Sequence, residues 1–150
     1  MTTRGPNPGL GLAILRVVVG VVFITHGLPK LFGGIGGTTQ FLAQLGIPLA
    51  GLFAWAVALL ESFGGLSLVL GWMVGPVASL FIIEMLVGIL LVHAPNGWYV
   101  VGSGSGGAEF STVLIASLIA LILAGPGTAS LDGRRTGGPV RVPAGAGEEA

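Results

Sequence analysis

The sequence contains no cysteine among its 150 residues. A chain without thiols forms no disulfide, has no CxxC redox motif and cannot hold an iron–sulfur cluster or zinc ion through thiolates. Any redox role must therefore use a bound cofactor or the cofactor of a partner. No metal site is predicted.

Charged side chains are also scarce. Lys, Arg, Asp and Glu make up 8% of the residues and sum to a formal net charge of zero, so there is no basic patch to suggest nucleic-acid binding. Soluble domains carry about a quarter charged residues. Hydrophobic residues are 53% of the chain and the mean hydropathy is +0.96. This composition predicts one integral membrane domain surrounded by lipid.

Four apolar segments predict an all-α, four-helix transmembrane bundle. The predicted helices cover residues 10–32, 48–70, 73–92 and 109–124, and residues 38–45 are expected to form a short helix in the membrane interface. The fourth segment is short for a hydrocarbon core of ~30 Å. The membrane domain is thus placed at 10–127. The Gly- and Pro-rich ends, 1–9 and 128–150, are predicted to be disordered.

The distribution of basic residues predicts the topology. An even number of spans puts both ends on the same side, and these ends carry four arginines, Arg4, Arg134, Arg135 and Arg141. The loops on the opposite side offer only Lys30. Because cytoplasmic segments are enriched in Lys and Arg, both termini are predicted to be cytoplasmic.

The first helix has an unusual polar face. At a rotation of ~100° per residue, five residues lie on one face of the helix: Arg16, Gly20, Phe23, Gly27 and Lys30. His26 lies at the edge of this face. Ionisable groups within a membrane are costly and are tolerated where they meet protein, water or headgroups. This face is therefore the first place to look for a functional site.

The second and third helices each carry one acid, Glu61 and Glu84, followed four residues later by glycine. Small residues accompany Glu61 on one stripe, which would allow close helix packing: Ala54, Ala58 and Gly65. Depth estimates at ~1.5 Å per residue predict an Arg16–Glu61 ion pair in the inner half of the membrane.

A second polar layer is expected towards the outer end of the bundle. It would contain His26, Lys30, His93 and Glu109, with Glu84 reaching between the layers. His93 follows Glu84 by nine residues, roughly opposite on a regular helix. It would reach the same cavity only if the helix unwound before Pro95.

Simpler interpretations exist for several of these residues. Lys30 could extend its ammonium group to the outer headgroups, and Glu109 suits the start of a helix dipole. Trp98, with its neighbour Tyr99, has the amphipathic ring typical of a membrane surface. Arg16–Glu61 is interpreted as a structural ion pair.

Several segments together resemble the DoxX family over nearly the whole chain. They are LRVVVGVVFITHGLPKLFGG, LGIP, LLESFGGLSLVLGW, EMLVGILLVH, GGAEF and GPGTASLD. The resemblance implies a small four-helix, multi-pass protein of the bacterial inner membrane. It also implies an association with redox physiology, because a related subunit occurs in thiosulfate–quinone oxidoreductases and other members are linked to oxidative-stress and thiol systems. It supplies no catalytic residues to transfer.

The main hypothesis is a membrane subunit of a redox system that binds a quinone or a similar lipid-soluble molecule. Glu84, as proton relay, and His26 are the catalytic candidates. The ligand-binding candidates are His26, Lys30, Glu84, His93, Glu109 and Trp98. One alternative is a non-catalytic anchor for soluble redox enzymes, with the tail as docking element. Another is a small-molecule or proton transporter, which would need to form a homo-oligomer.

Overall fold

The computed structural model describes residues 7–101 and 106–135, and within these ranges the chain is helical with no strand. Six helices follow in order: α1 (Pro8–Pro29), α2 (Ile35–Gln44), α3 (Ala50–Leu70), α4 (Val74–Asn96), α5 (Glu109–Ala124) and α6 (Leu131–Arg135). Three segments are long and apolar enough to cross a membrane, namely α3, α4 and Pro8–Gln44, which contains α1 and α2. The predicted all-α membrane fold is confirmed.

The first helix begins and ends where the local chemistry requires. The side chain of Asn7 accepts a hydrogen bond from the Leu10 amide (3.1 Å), and proline occupies the first helical turn, where its missing donor costs little. Beyond Pro29 the backbone leaves helical geometry at Phe32 and Gly33. Gly33 has φ +152°, a value that glycine adopts without a steric penalty. This kink turns the chain into α2, the predicted interfacial helix.

The third and fourth helices form the predicted hairpin. Gly71 ends α3 in the left-handed conformation (φ +69°), and the Ser67 hydroxyl donates to the carbonyl of Trp72 across the turn. Each helix contains one π turn, Leu60–Gly64 in α3 and Ile89–His93 in α4. Such wider turns shift the direction of every later side chain on the helix and are frequent at functional sites.

Close packing joins α1 to α3. A Cβ atom on Gly20 would lie 2.7 Å from the carbonyl oxygen of Gly65, and one on Gly65 would lie 2.8 Å from that of Gly20. The neighbouring Ala54 and Ala58 are fully buried. The predicted small-residue stripe is therefore confirmed, and the absent side chains let the two backbones approach.

The core lies between α1, α3, α4 and α5. The rings of Phe23 and Phe81 stack with centroids 3.6 Å apart and an interplanar angle of 11°. Around them is a cluster of buried apolar side chains: Val19, Leu68, Val74, Ala78, Leu114, Leu118 and Leu121. Large apolar side chains also cover the outside of the helices, as expected of a surface that faces lipid.

The last apolar helix is short for a membrane span, as predicted, with α5 covering only 16 residues. The amide of Thr128 then donates to the carbonyl of Gly9 (3.0 Å), so the chain after α5 returns to the start of α1. Among the described residues both ends of the chain therefore lie at the same end of the bundle. Their cytoplasmic orientation stays a prediction.

The predicted disorder from Thr128 is wrong for residues 128–135. This segment carries α6 and packs on the α3–α4 turn, where the Asp132 amide donates to the Gly71 carbonyl (2.9 Å). The Asp132 carboxylate accepts hydrogen bonds from the amides of Met73 (3.1 Å) and Val74 (2.9 Å), the free donors at the start of α4. Composition could not reveal these contacts, because polar backbone and capping groups make them. The rest of the tail, 136–150, lies outside the described residues.

Candidate ligand-binding site

The predicted polar face of α1 is confirmed, but its ion pair differs from the prediction. Arg16, Gly20, Phe23 and Gly27 are buried. Lys30, at the end of the same face, forms an ion pair with Glu61, whose side chain is only 6% exposed. Lys30 itself is 28% exposed, so the pair lies at the edge of the packed interior.

The predicted Arg16–Glu61 pair is therefore wrong. Gly20 packs at Gly65, and Arg16 lies near Gly71, where a Cβ atom would overlap its guanidinium group. Glu61 is ten residues from Gly71 along α3, about 15 Å on a helix. The prediction placed the start of the first helix and the end of the second at equal depth, whereas Arg16, eight residues after the start of α1, already lies at Gly71, the end of α3.

Arg16 instead belongs to the end of the bundle that holds the tail segment. One guanidinium nitrogen donates to the carbonyl of Ala129 (3.2 Å), and the carboxylate of Asp132 supplies a nearby opposite charge. The side chain is 1% exposed, so its charge is almost wholly removed from solvent. The partners of Arg16 therefore differ from the predicted one, and its structural role stays a prediction.

Glu84 completes a cluster with the Lys30–Glu61 pair. Its carboxyl group lies beside that of Glu61, with Lys30 close enough to act on both. Within the described part of the chain, no N–H or hydroxyl group donates to the buried Oε2 atom of Glu84, although the carboxyl groups of Glu84 and Glu61 can share a hydrogen bond when one of them is protonated. An unpartnered polar atom inside a membrane domain costs free energy, which a ligand carrying a hydrogen-bonding group could recover.

His93 is brought to the same side of α4 as Glu84 by the π turn Ile89–His93, as the predicted unwinding requires. Its Nδ1 atom contacts the carbonyl oxygen of Gly106 (2.5 Å). Since a carbonyl only accepts, Nδ1 carries the hydrogen and a neutral ring leaves Nε2 as a free acceptor.

Two cavities meet at this cluster. The larger one, which we call the groove, has a volume of about 930 Å³ and lies between α2, α3 and α4. Lys30, Glu84 and His93 form its polar floor, and most of its remaining wall is apolar. The smaller cavity, of about 290 Å³, adjoins α5; its polar side chains are His26, Lys30, Glu61, His93 and Ser111. Lys30, Met85 and His93 line both cavities and separate them.

The helix geometry explains the groove. Gly64 in the π turn of α3 packs against Phe81 and Val77 of α4, so the two helices touch near their connecting turn. Further from the turn, α4 and Ala50–Leu59 diverge. The kink at Gly33 then places α2 against α3, where it forms the third wall.

The remaining predicted site residues are distributed differently. His26 lies in the smaller cavity, where Nδ1 donates to the Val22 carbonyl (2.7 Å), and does not line the groove. Glu109 accepts a hydrogen bond from the Val100 amide (3.0 Å) and lines neither cavity, so its contact supports the structural interpretation. Trp98 is 54% exposed and also lines neither cavity.

Sequence reasoning missed the partnership of Glu61 with Lys30 and Glu84. The signal that could have found it is the pair of glycines at the α1–α3 contact. Gly20 packs at Gly65, and Gly27, further along α1, packs at Glu61 and Ser62, so Lys30, three residues after Gly27, lies within reach of the Glu61 carboxylate.

Comparison with known proteins agrees with the membrane fold. The DoxX family model matches residues 11–94. "Inner membrane protein YphA" of Escherichia coli K12 is 35% identical over 127 residues, covering 82% of this chain and 89% of the relative. "Putative oxidoreductase CatD" of Bacillus subtilis 168 is 32% identical over 123 residues, covering 82% of this chain and 85% of the relative.

"Inner membrane protein YqjF" of E. coli K12 is 28% identical over 123 residues, covering 82% of this chain and 90% of the relative. No solved structure matches. Two of these relatives carry the name of inner membrane proteins, and the helices suit a multi-pass protein of that membrane. The extent of the family match and the two relatives above 30% identity place this chain in the DoxX family.

Proposed function

We propose that this DoxX protein binds a quinone or similar lipid-soluble molecule, and serves as a membrane component of a redox system. The ring of the ligand would lie on the floor of the groove, against Lys30, Glu84 and His93. The observation that carries the proposal is the buried Oε2 atom of Glu84, which receives no hydrogen bond from an N–H or hydroxyl group of the described residues and lies beside the Lys30–Glu61 pair, at the floor of a largely apolar groove.

The chemistry of the floor suits such a ring. The Lys30 ammonium group has three hydrogens, of which Glu61 takes one, so it can also donate to a quinone oxygen. Reduction of a quinone to a quinol adds a proton to each oxygen, and Glu84 could exchange a proton there as general acid and base. The Nε2 atom of His93 could accept a hydrogen bond from a quinol hydroxyl.

Redox involvement has a second, weaker support, because one relative carries the name of an oxidoreductase. With no cysteine in the chain, electrons would come from the cofactor of a partner redox enzyme. The proposed role of this chain is therefore to bind the ring and to exchange protons with it.

The test is binding of a short-chain quinone to the purified protein in lipid nanodiscs. Binding is measured by the quenching of tryptophan fluorescence. Wild-type protein should bind, and Glu84→Gln should weaken binding roughly tenfold or more, since a hydrogen bond to an ionisable group is lost. Glu109→Gln is the matched control, because this acid lines neither cavity, and should bind like wild type. Failure of the wild-type protein to bind any quinone would overturn the proposal. Unchanged binding by Glu84→Gln and Lys30→Gln would overturn the assignment of the floor.

A further inference from the structure

From the shape of the groove we infer that the ligand carries a long aliphatic chain, which lies between α2 and α3 and enters from the bilayer. This inference rests on the proposed function and names the class of ligand. We call the part of the groove concerned the apolar arm. It comprises six residues around the α2–α3 junction: Phe41, Leu42, Leu45, Ile47, Pro48 and Phe53.

The volume of the groove exceeds what a ring alone would fill. Pockets for small ligands have volumes of about 300–1,000 Å³ and bury most of the ligand surface. At about 930 Å³ the groove is near the upper limit, and its polar side chains are confined to the floor apart from Thr38. The Thr38 hydroxyl already donates to the Gly34 carbonyl (3.0 Å). The arm therefore has no free side-chain hydrogen-bonding group and matches a hydrocarbon chain.

The rims of the groove are open to lipid. Phe41 and Phe53 on one rim and Ile83 on the other are each about half exposed, at 45%, 47% and 58%. All three also line the groove, so its apolar wall continues onto the outer surface of the bundle. A molecule dissolved in the bilayer can reach the floor through this opening without crossing water.

The charges on the floor of the groove determine which polar head group the ligand can carry. Lys30 is paired with Glu61, and a second acid, Glu84, lies beside them. The cluster therefore carries no surplus positive charge, and a phosphate or carboxylate head would meet acidic groups at close range. A neutral head with hydrogen-bonding oxygens, joined to a long chain, satisfies both the floor and the arm. The occupant is thus a long-chain quinone or quinol and not a membrane phospholipid.

The experiment compares the binding of two quinones with the same ring, one with and one without a decyl chain, to the protein in nanodiscs. The concentration of each quinone is expressed as its concentration within the bilayer. Ala56→Phe adds bulk to the groove one turn from Phe53, and Ala43→Phe is the matched control because Ala43 is exposed outside the groove. We expect Ala56→Phe to weaken binding of the decyl quinone about tenfold, as overpacking of an occupied space does, and to leave the chain-free ring unchanged. Ala43→Phe should change neither.

A photoreactive group at the chain end provides a readout that does not depend on a variant. In wild-type protein it should label peptides from 41–53, and an excess of unlabelled decyl quinone should prevent the labelling. Equal weakening of both quinones by Ala56→Phe, no weakening of either, or labelling that competitor does not prevent would overturn the inference. In each case the proposed function is tested separately, since it fails only if wild-type protein binds neither quinone.

Discussion

Lys30 and Glu61 form an ion pair that joins the end of α1 to the π turn of α3. The pair is the point at which the fold and the candidate site depend on each other. The pair provides an opposite charge for Glu61, whose side chain is only 6% exposed, and it holds Lys30 in the wall between the two cavities. Changes to either residue should therefore alter both stability and ligand binding.

Removing the cation should cost more than removing its acid partner. Lys30→Gln leaves the carboxyl groups of Glu61 and Glu84 together without a positive charge and should destabilise by about 3 kcal/mol, the lower end of the range for a broken buried pair. Glu61→Gln should cost less, because Glu84 remains as a second partner for Lys30. Thermal unfolding in detergent micelles measures the difference.

Two further variants test the identity of the pair. The exchange Lys30→Glu with Glu61→Lys should recover part of the lost stability. A double-mutant cycle between Arg16→Gln and Glu61→Gln should give little coupling energy, since these residues lie on different levels of the bundle. Strong coupling between Arg16 and Glu61 would contradict the helix register.

The close approach of α1 and α3 predicts a severe effect at Gly20. In Gly20→Ala the added Cβ would lie 2.7 Å from a backbone oxygen of Gly65, so the helices must separate. Alanine alone would stabilise the helix by about 1 kcal/mol through its higher helix propensity. Because of the steric overlap, we instead expect the free energy of unfolding to fall by about 1–3 kcal/mol. The matched control is Gly11→Ala in the same helix, where nothing lies within 4 Å of the new Cβ. Its unfolding temperature should stay equal or rise, and an equal loss in both variants would exclude the packing explanation.

The tail segment up to Arg135 should be part of the folded domain. A chain ending at Gly127 loses the Ala129 carbonyl that Arg16 contacts and the Asp132 carboxylate that caps α4. It should unfold at a clearly lower temperature than a chain ending at Arg135. Asp132→Ala alone should cost about 1–2 kcal/mol, as the loss of a helix cap does.

The same pair of truncations separates structure from partner docking. If the tail serves as a docking element for soluble redox enzymes, deletion of 136–150 should abolish recovery of the partner while the unfolding temperature stays that of the full chain. Equal unfolding temperatures for the chains ending at Gly127 and Arg135 would contradict the contacts of α6.

The apolar segments, the punctuating glycines and prolines and the scarcity of charge determined the membrane class, the helices and the α3–α4 hairpin by themselves. These properties are local, because the energy of a residue in lipid depends mainly on its own side chain and on backbone hydrogen bonds within its helix. For the same reason the polar face of α1 and the short length of α5 could be predicted without a partner in view.

The pairing of the ionisable residues was decided only by the tertiary structure. Which acid meets Lys30 depends on how far α1 slides along α3, and the backbone contact between Gly20 and Gly65 sets that distance. The groove likewise arises from the divergence of α3 and α4 and from the turn at Gly33, which no single segment encodes. Contacts between distant segments, such as Asp132 on the start of α4, follow from packing and not from composition.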